Sequence, residues 1–217
     1  MENPNDKEKL KEQARKNIFS GRLKIGLAIV GVIFILQGLN QMNKGFKEIK
    51  DSSSVAEVAP QAGSDYSQVG PQYKDANSSL TLNYPSDWAI GANPTPTNPF
   101  QASGQGGVVD YRISKEPLNQ DITPKQYLDA MDKIFKTDPK IKSMTPFSEN
   151  AININGNEGL TREHTMILTG KDIILKQKLL ILVKDRNAYC AVSTTPVNLY
   201  EKTKPTFEAV NQTIRFE

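Results

Sequence analysis

An uncharged, apolar stretch near the start of the chain constrains its structure more than any other feature. No residue from Ile25 to Asn43 is charged, and the strongly apolar part is Ile25–Leu36. A helix that spans a bilayer needs about 20 mostly apolar residues, with a lower limit of about 17. The sequence therefore predicts a transmembrane helix over residues 23–42, with the lipid bilayer as its partner.

The same stretch could instead be the core of a cleaved signal peptide, or a helix buried in a soluble protein. A signal peptide has small residues at a cleavage site close behind its core. The nearest candidates, Ala56 and Ala59, come roughly twenty residues too late. The sole cysteine, Cys190, lies far from the stretch, which excludes a lipoprotein anchor. We expect an uncleaved anchor.

Basic residues are concentrated before the predicted helix. Flanking segments rich in Lys and Arg stay in the cytoplasm. The nearby basic residues on the two sides are Lys7, Lys9, Lys11, Arg15, Lys16, Arg22 and Lys24 before it, and Lys44, Lys47 and Lys50 after it. We expect a cytoplasmic tail over residues 1–22 and an extracytoplasmic C-terminal part, in a single-pass protein of a bacterial plasma (inner) membrane.

The net charge of +3 could indicate a nucleic-acid-binding protein. Residues 51–217, however, contain 17 Lys and Arg against 19 Asp and Glu. A phosphate-binding surface needs clustered positive charge, so we expect no nucleic-acid partner. A single cysteine allows no intrachain disulfide and excludes zinc ribbons and CxxC redox chemistry.

Residues 43–76 join the predicted helix to the rest of the chain. Over residues 51–76 they are rich in Ser, Ala, Gln, Gly and Pro, without apolar periodicity. Such a composition buries too little surface to offset the loss of chain entropy. We expect a flexible linker that lets the following domain move relative to the bilayer.

A domain is predicted over residues 77–217. Residues 80–84 alternate between apolar and polar, as in a half-buried strand, and an extended run resumes at Trp88. The Pro- and Gly-rich residues 91–107 indicate a long loop, and residues 107–114 indicate another strand.

A helix follows, with a clear start signal. Thr123 is a good N-cap, Pro124 occupies the first helical position, and Gln126 completes a capping box. The apolar stripe expected to lie on a sheet consists of Tyr127, Leu128, Met131, Ile134 and Phe135.

The second half of the domain is typical of antiparallel strands. Asn155-Gly156 is a strong hairpin signal, Ile173–Val183 is the most strand-like segment, and Ala188–Thr194 follows it after a turn. A last helix is expected at about 203–213. This order predicts an α+β fold in which an antiparallel sheet is sandwiched by two helices.

Residues that could carry chemistry are few. His164 is the sole histidine and Glu163 points to the opposite face of its strand, so we interpret His164 as an ordinary strand residue, with a metal or catalytic role as the alternative. Cys190 and Trp88 are interpreted as core residues, with a reactive thiol and a recognition aromatic as the alternatives. We expect no catalytic, cofactor-binding or metal site.

Three further patterns are weaker. The glycines at 104, 106 and 107 resemble a phosphate loop only loosely, because no Lys-Ser/Thr and no helix follows. Lys176 and Lys178 indicate either a solvated strand face or a small basic patch for a partner or lipid headgroups. Asn77 and Asn211 begin glycosylation sequons, which matter only in a eukaryotic secretory pathway.

Several segments together resemble the PsbP-like domain family. They are, in the family's order, LTLNYPSDW, TPKQYLDAMDKIF, NGNEGL, AYCAVSTTP and YEKTKPTFEAVNQTIRF. The resemblance spans about residues 78–216 and implies an α/β/α sandwich and a non-catalytic, protein-binding domain. The family is named for an extrinsic subunit of photosystem II, has bacterial relatives without a link to photosynthesis, and shares its sandwich with eukaryotic Ran-binding proteins.

The sequence thus predicts a membrane-anchored interaction or accessory module of a membrane or envelope complex. One alternative is a ligand-binding module in which loop 91–107 closes over a groove beside Trp88. Others are a photosystem assembly factor and an enzyme of unfamiliar chemistry that depends on His164.

Overall fold

The computed structural model describes residues 69–145, 148–170 and 174–217. The predicted tail 1–22 and transmembrane helix 23–42 lie outside the described residues, as does the predicted linker up to residue 68. Neither helix found in the described residues is long and apolar enough to cross a membrane.

The described residues form two helices, α1 at Pro124–Phe135 and α2 at Val197–Gln212. The strands are β1 Gln72–Lys74, β2 Leu80–Asn83, β3 Ala89–Ile90, β4 Phe100–Gly104, β5 Val109–Pro117, β6 Ile141–Met144, β7 Ser148–Ile154, β8 Asn157–Leu168, β9 Ile174–Lys184, β10 Asn187–Pro196 and β11 Arg215–Phe216.

An eight-stranded sheet has the order β3-β4-β5-β10-β9-β8-β6, and β7 pairs with β8 beside β6. A small sheet has the order β1-β2-β11. Every strand pair in both sheets is antiparallel. The predicted α+β class and antiparallel sheet are therefore confirmed.

Each helix covers one face of the large sheet. On one face, α2 and the small sheet enclose a core whose largest fully buried members are Leu80, Leu82, Phe100, Tyr111, Ile113, Ile154, Tyr200 and Phe207. On the other face, α1 packs over Leu179, Ile181, Ala188, Cys190 and Val192. Because the central strands are buried on both faces, they have apolar residues at consecutive positions.

The predicted start of α1 is confirmed. The Thr123 side chain accepts a hydrogen bond from the Gln126 backbone N–H, and the Gln126 side chain accepts one from the Thr123 backbone. A cap of this kind stabilises a helix by about 1 kcal/mol.

The hairpin at Asn155-Gly156 is also confirmed. Both residues have positive φ, 49° and 82°, as a tight hairpin turn between β7 and β8 requires. Asp185 and Arg186 turn β9 into β10 with φ values of 49° and 56°.

The prediction that the linker extends to residue 76 is wrong. Residues 72–74 form β1, which pairs with β2. The Tyr73 ring lies 5.0 Å from that of Phe100, and its hydroxyl donates to the Pro99 carbonyl at 2.6 Å. One aromatic side chain in a polar segment thus attaches these residues to the domain, which begins before residue 77.

The predicted loop 91–107 is wrong in its second half. Residues 100–104 form β4, which pairs with β3 and β5. Phe100 and Ala102 are buried on the α2 side. The strand was missed because its other residues are small or polar. The four-residue strand β6 at the opposite side of the sheet was not predicted either.

The last helix begins at Val197, not near Thr203, so Pro205 lies in its interior and not in its first turn. An interior proline costs a helix about 3 kcal/mol. Fully buried Tyr200 offsets part of that cost by packing into the core before the proline. Phe207 and Val210 are buried as predicted.

Candidate functional site

His164 lies on β8 and faces α1. Its side chain is 1% exposed, and its ring centroid is 6.0 Å from that of Phe135. Burial, and next the nearby Arg162 charge, lower the pKa of His164 to about 4. His164 is therefore neutral near pH 7 and shielded from solvent.

His164 belongs to a row of polar residues that crosses the sheet on the α1 side. Its neighbour on β9 is Gln177, whose amide donates to Thr194 Oγ1 on β10 at 3.0 Å. On β5 the row reaches Asp110, which accepts two hydrogen bonds of 2.9 Å from the Arg112 guanidinium. All are buried. A hydrogen bond crosses from β9 to β10, between Gln177 and Thr194, and the Arg112–Asp110 pair lies along β5.

The Arg162 guanidinium forms ion pairs that join α1 to the sheet. It is 2% exposed, and its guanidinium contacts Glu149 on β7. Its terminal nitrogens lie 3.8 Å from Asp129 and 3.8 Å from Asp132 on α1. A buried cation surrounded by three carboxylates joins α1, β7 and β8.

Cys190 is a core residue, as expected. It is 1% exposed and lies under α1. Burial, followed by the nearby Glu116 carboxyl, raises the pKa of the Cys190 thiol to about 12. A thiol that is protonated and buried is a poor nucleophile.

Glu116 is a buried titratable residue that sequence reasoning missed. Its carboxylate accepts a 2.7 Å hydrogen bond from the Tyr127 hydroxyl of α1. Burial raises the pKa of Glu116 to about 7, although the Tyr127 bond opposes that rise. Glu116 alternates along β5 with apolar residues, a pattern that usually marks a solvated face, and α1 covers this one.

The side chains of Lys176 and Lys178 do not form a free basic patch. Lys178 Nζ lies 2.6 Å from Glu208 Oε1 on α2 and 3.5 Å from Glu163 Oε1. The Glu163 carboxylate also lies 3.2 Å from Lys204 Nζ and 4.0 Å from Lys176 Nζ. Lys178 is only 7% exposed. The predicted solvated face is instead an ion-pair cluster between β8, β9 and α2.

Trp88 is core, as interpreted. It is 8% exposed and packs near Tyr111 and Phe207, with centroid distances of 5.8 and 6.2 Å. It does not line a groove. The residues at 105–107 form a 3-10 turn that leads into β5, not a phosphate-binding helix.

A small cavity of about 150 Å³ lies at the β3–β4 connection. Its lining consists of Gly91, Ala92, Asn93, Pro94, Asn98 and Gln101. The Oδ1 atom of Asn98 is buried and has no hydrogen-bond partner. The cavity lies mostly in the first half of the predicted loop, and Trp88 is not among its lining residues.

The second sequon is buried. Asn211 is 3% exposed, and its Oδ1 accepts a 2.7 Å hydrogen bond from the Tyr111 hydroxyl. It is a core residue and not a glycosylation acceptor. Within residues 69–145, 148–170 and 174–217, no group of three or more His, Cys, Asp or Glu is arranged to hold a metal.

Comparison with known proteins places the fold. No family model and no curated protein sequence matches the chain. A solution structure of cyanobacterial PsbP from Synechocystis matches 68% of this chain and 92% of its own, with a TM-score of 0.53 and 12% identity. The Ran-binding protein Mog1p of Saccharomyces cerevisiae matches 69% of this chain and 96% of its own, with a TM-score of 0.53 and 4% identity. The described domain has a PsbP-like fold.

A third solved structure is more distant. LpqN of Mycobacterium tuberculosis, described as involved in cell envelope biogenesis, matches 67% of this chain and 83% of its own at 13% identity, with a TM-score of 0.43. At such identities the likeness concerns the fold alone, and a fold of this kind supports many functions.

Proposed function

We propose that this chain is a membrane-anchored, extracytoplasmic accessory module that acts by binding another protein and catalyses no reaction. The observation that carries the proposal is the burial of its reactive side chains. His164 and Cys190 are each 1% exposed, and burial moves the pKa of each away from the range useful near pH 7. A substrate at the protein surface would contact neither the His164 nor the Cys190 side chain.

The membrane attachment is supported by the sequence. Residues 23–42 are long and apolar enough for one span, and the basic residues before them favour a cytoplasmic N-terminus. Residues 43–68 would then link the bilayer to the domain, whose described part begins at Val69. A tethered domain gains effective concentration at a partner in the same membrane.

Co-purification tests the proposal. The full chain, tagged at its C-terminus, is expressed in its native membrane, solubilised in mild detergent and purified. We expect one partner protein in a constant molar ratio. A tagged chain that ends at residue 68 is the control, because it keeps the anchor and loses the domain. Repeated recovery of the chain alone, or equal recovery by the control, would contradict the proposal.

A role beside a photosystem is a special case of this proposal. Neighbouring genes distinguish it, because photosynthesis genes support that case and envelope or transport genes favour another complex.

The second candidate function is binding of a small polar ligand at the β3–β4 cavity. The cavity lining favours it, because it includes Asn93 and Asn98, whose residue type both donates and accepts hydrogen bonds. A thermal-shift screen of small polyhydroxylated and amide compounds tests it. We expect a stabilising compound to lose its effect in Asn98→Ala, and no stabilisation by any compound would argue against this function.

A further inference from the structure

The α2 side of the sheet has one part that the helix leaves uncovered. Helix α2 packs over β9 and β10. On β8, Thr165 and Ile167 face the same side and remain half-exposed. The sheet therefore extends past the helix as an open shelf.

Two of the large apolar side chains that are exposed in the described residues meet on this shelf. Ile174 is 43% exposed and Val197 is 44% exposed. Pro196 pairs with Leu175, and Val197 and Ile174 are the residues that follow this pair at the end of the sheet. Ile174 also pairs with half-buried Ile167. Three aliphatic residues from β8, β9 and α2 are thus neighbours by register, and they make this end of the shelf an apolar patch.

A cation with weak pairing borders that patch. Lys176 lies on the same face of β9 as Ile174, two residues along. Among the described residues its closest ion pair is with Glu163 at 4.0 Å, and Lys178 and Lys204 approach that carboxylate more closely, at 3.5 and 3.2 Å. Its ammonium group lies over the Tyr200 ring, 5.3 Å from the centroid. Lys204 also interacts with the Glu208 and Glu201 carboxylates. Lys176 is therefore the lysine of this cluster with the longest ion pair, and a further carboxylate would pair with it.

We propose that this surface, the β8 shelf of Thr165, Ile167, Ile174, Lys176 and Val197, is the docking site for a protein segment that carries aliphatic side chains next to an Asp or Glu. The aliphatic side chains cover Ile174 and Val197, and the carboxylate pairs with Lys176. The inference rests on the proposed function and names the surface and the chemistry of the partner.

A protein segment fits this surface better than a flat bilayer does. Lys176 has a side-chain exposure of 24%, and Ile167 is half-buried. Both lie at the level of the sheet beside α2. A side chain from a narrow segment reaches that depth, whereas lipid headgroups in a flat surface would meet the rim first.

Photo-crosslinking in the native membrane tests the site. In the full chain, p-benzoylphenylalanine replaces Val197, and in a matched control it replaces Ile90. Ile90 is 39% exposed and lies on β3, the edge strand at the other end of the sheet. We expect one protein to be cross-linked from position 197, at a mapped segment with aliphatic residues and an Asp or Glu, and only background from position 90.

Second substitutions in the crosslinking chain test the two contacts. We expect Ile174→Asp and Lys176→Glu each to lower the yield from position 197 at least tenfold. Lys136→Glu on α1, a matched charge reversal of an exposed lysine, should leave it unchanged. Lys176→Gln is the milder variant, and equal thermal midpoints exclude unfolding as the cause.

The outcomes distinguish the shelf from the function itself. Crosslinks to lipid alone, equal yields from positions 197 and 90, or yields insensitive to Ile174→Asp and Lys176→Gln would overturn the shelf. If the tagged chain still retains a stoichiometric partner in that case, the proposed function stands and its surface lies elsewhere. If no partner is retained at all, both proposals fall.

Discussion

Gly104 lies directly under the indole of Trp88: a Cβ built on Gly104 would stand 2.6 Å from Trp88 Nε1. This contact joins β4 to the residue that precedes β3, in the α2-side core. The glycine is required for the space it leaves, since its φ of −115° is open to any residue.

Gly104→Ala is expected to displace the Trp88 ring and destabilise the domain by about 1–3 kcal/mol, the usual cost of overpacking. Trp88 is the sole tryptophan of the chain, so its fluorescence during urea unfolding reports both changes. Gly91→Ala is the matched control, because its nearest atoms are 3.5 Å from the added Cβ. Equal unfolding midpoints for the two variants would contradict the close contact.

The hydrogen bond between Tyr111 and Asn211 is expected to contribute to stability. Both residues are buried, and each loses its partner when the other is replaced. Tyr111→Phe and Asn211→Ala should each cost about 1–3 kcal/mol. In a double-mutant cycle their effects should be clearly less than additive. Additive costs would show that the 2.7 Å contact carries no coupling energy.

Much of the fold could be predicted because local signals agreed with it. The capping box at Thr123 and the hairpin turn at Asn155-Gly156 each depend on a few adjacent residues, and both are confirmed. Strand β4 and the early start of α2 depend on distant partners. Phe100 pairs with Ile113 across the sheet, and Tyr200 is buried in a core that no local pattern reveals.

The chemistry of the α1-side face was harder to predict for a related reason. Asp110, Arg112, Ser114 and Glu116 alternate with apolar residues along β5, which normally indicates one solvated face. All four are buried, since the face they occupy is covered. The ion pair between Arg112 and Asp110 joins residues that are only two apart in the sequence. The sequence pattern does not show, however, that both side chains are buried.

Cys190 should be inert toward thiol reagents in the folded protein. It is 1% exposed, and burial raises its pKa to about 12. We expect the reaction of dithionitrobenzoate with the chain at pH 8 to be limited by unfolding and to accelerate with urea in parallel with the loss of structure. Rapid stoichiometric labelling of the folded chain would show that the thiol is accessible.

His164 is expected to make stability depend on pH. Its pKa is about 4 when folded and about 6.5 when unfolded, because burial and the Arg162 charge disfavour the imidazolium. Lys176 lowers the pKa further, whereas Gln177 and Asp132 raise it. As the pH falls below about 6.5, the unfolded chain binds a proton that the folded chain does not, so stability is lost down to about pH 4. The loss should reach at most about 3 kcal/mol.

The contribution of His164 to the pH dependence is isolated by urea unfolding of wild type and His164→Gln. The measurements run between pH 7.5 and pH 4.5, a range set around the unfolded pKa of about 6.5. Glu116 opposes it: its pKa, raised to about 7, makes the folded state more stable as the pH falls. Only the difference between the two proteins therefore reports on His164. We expect that difference to shift in favour of the variant by about 2–3 kcal/mol at the acid end. A difference that stays constant over this range would show that the folded protein protonates His164 as readily as the unfolded chain does.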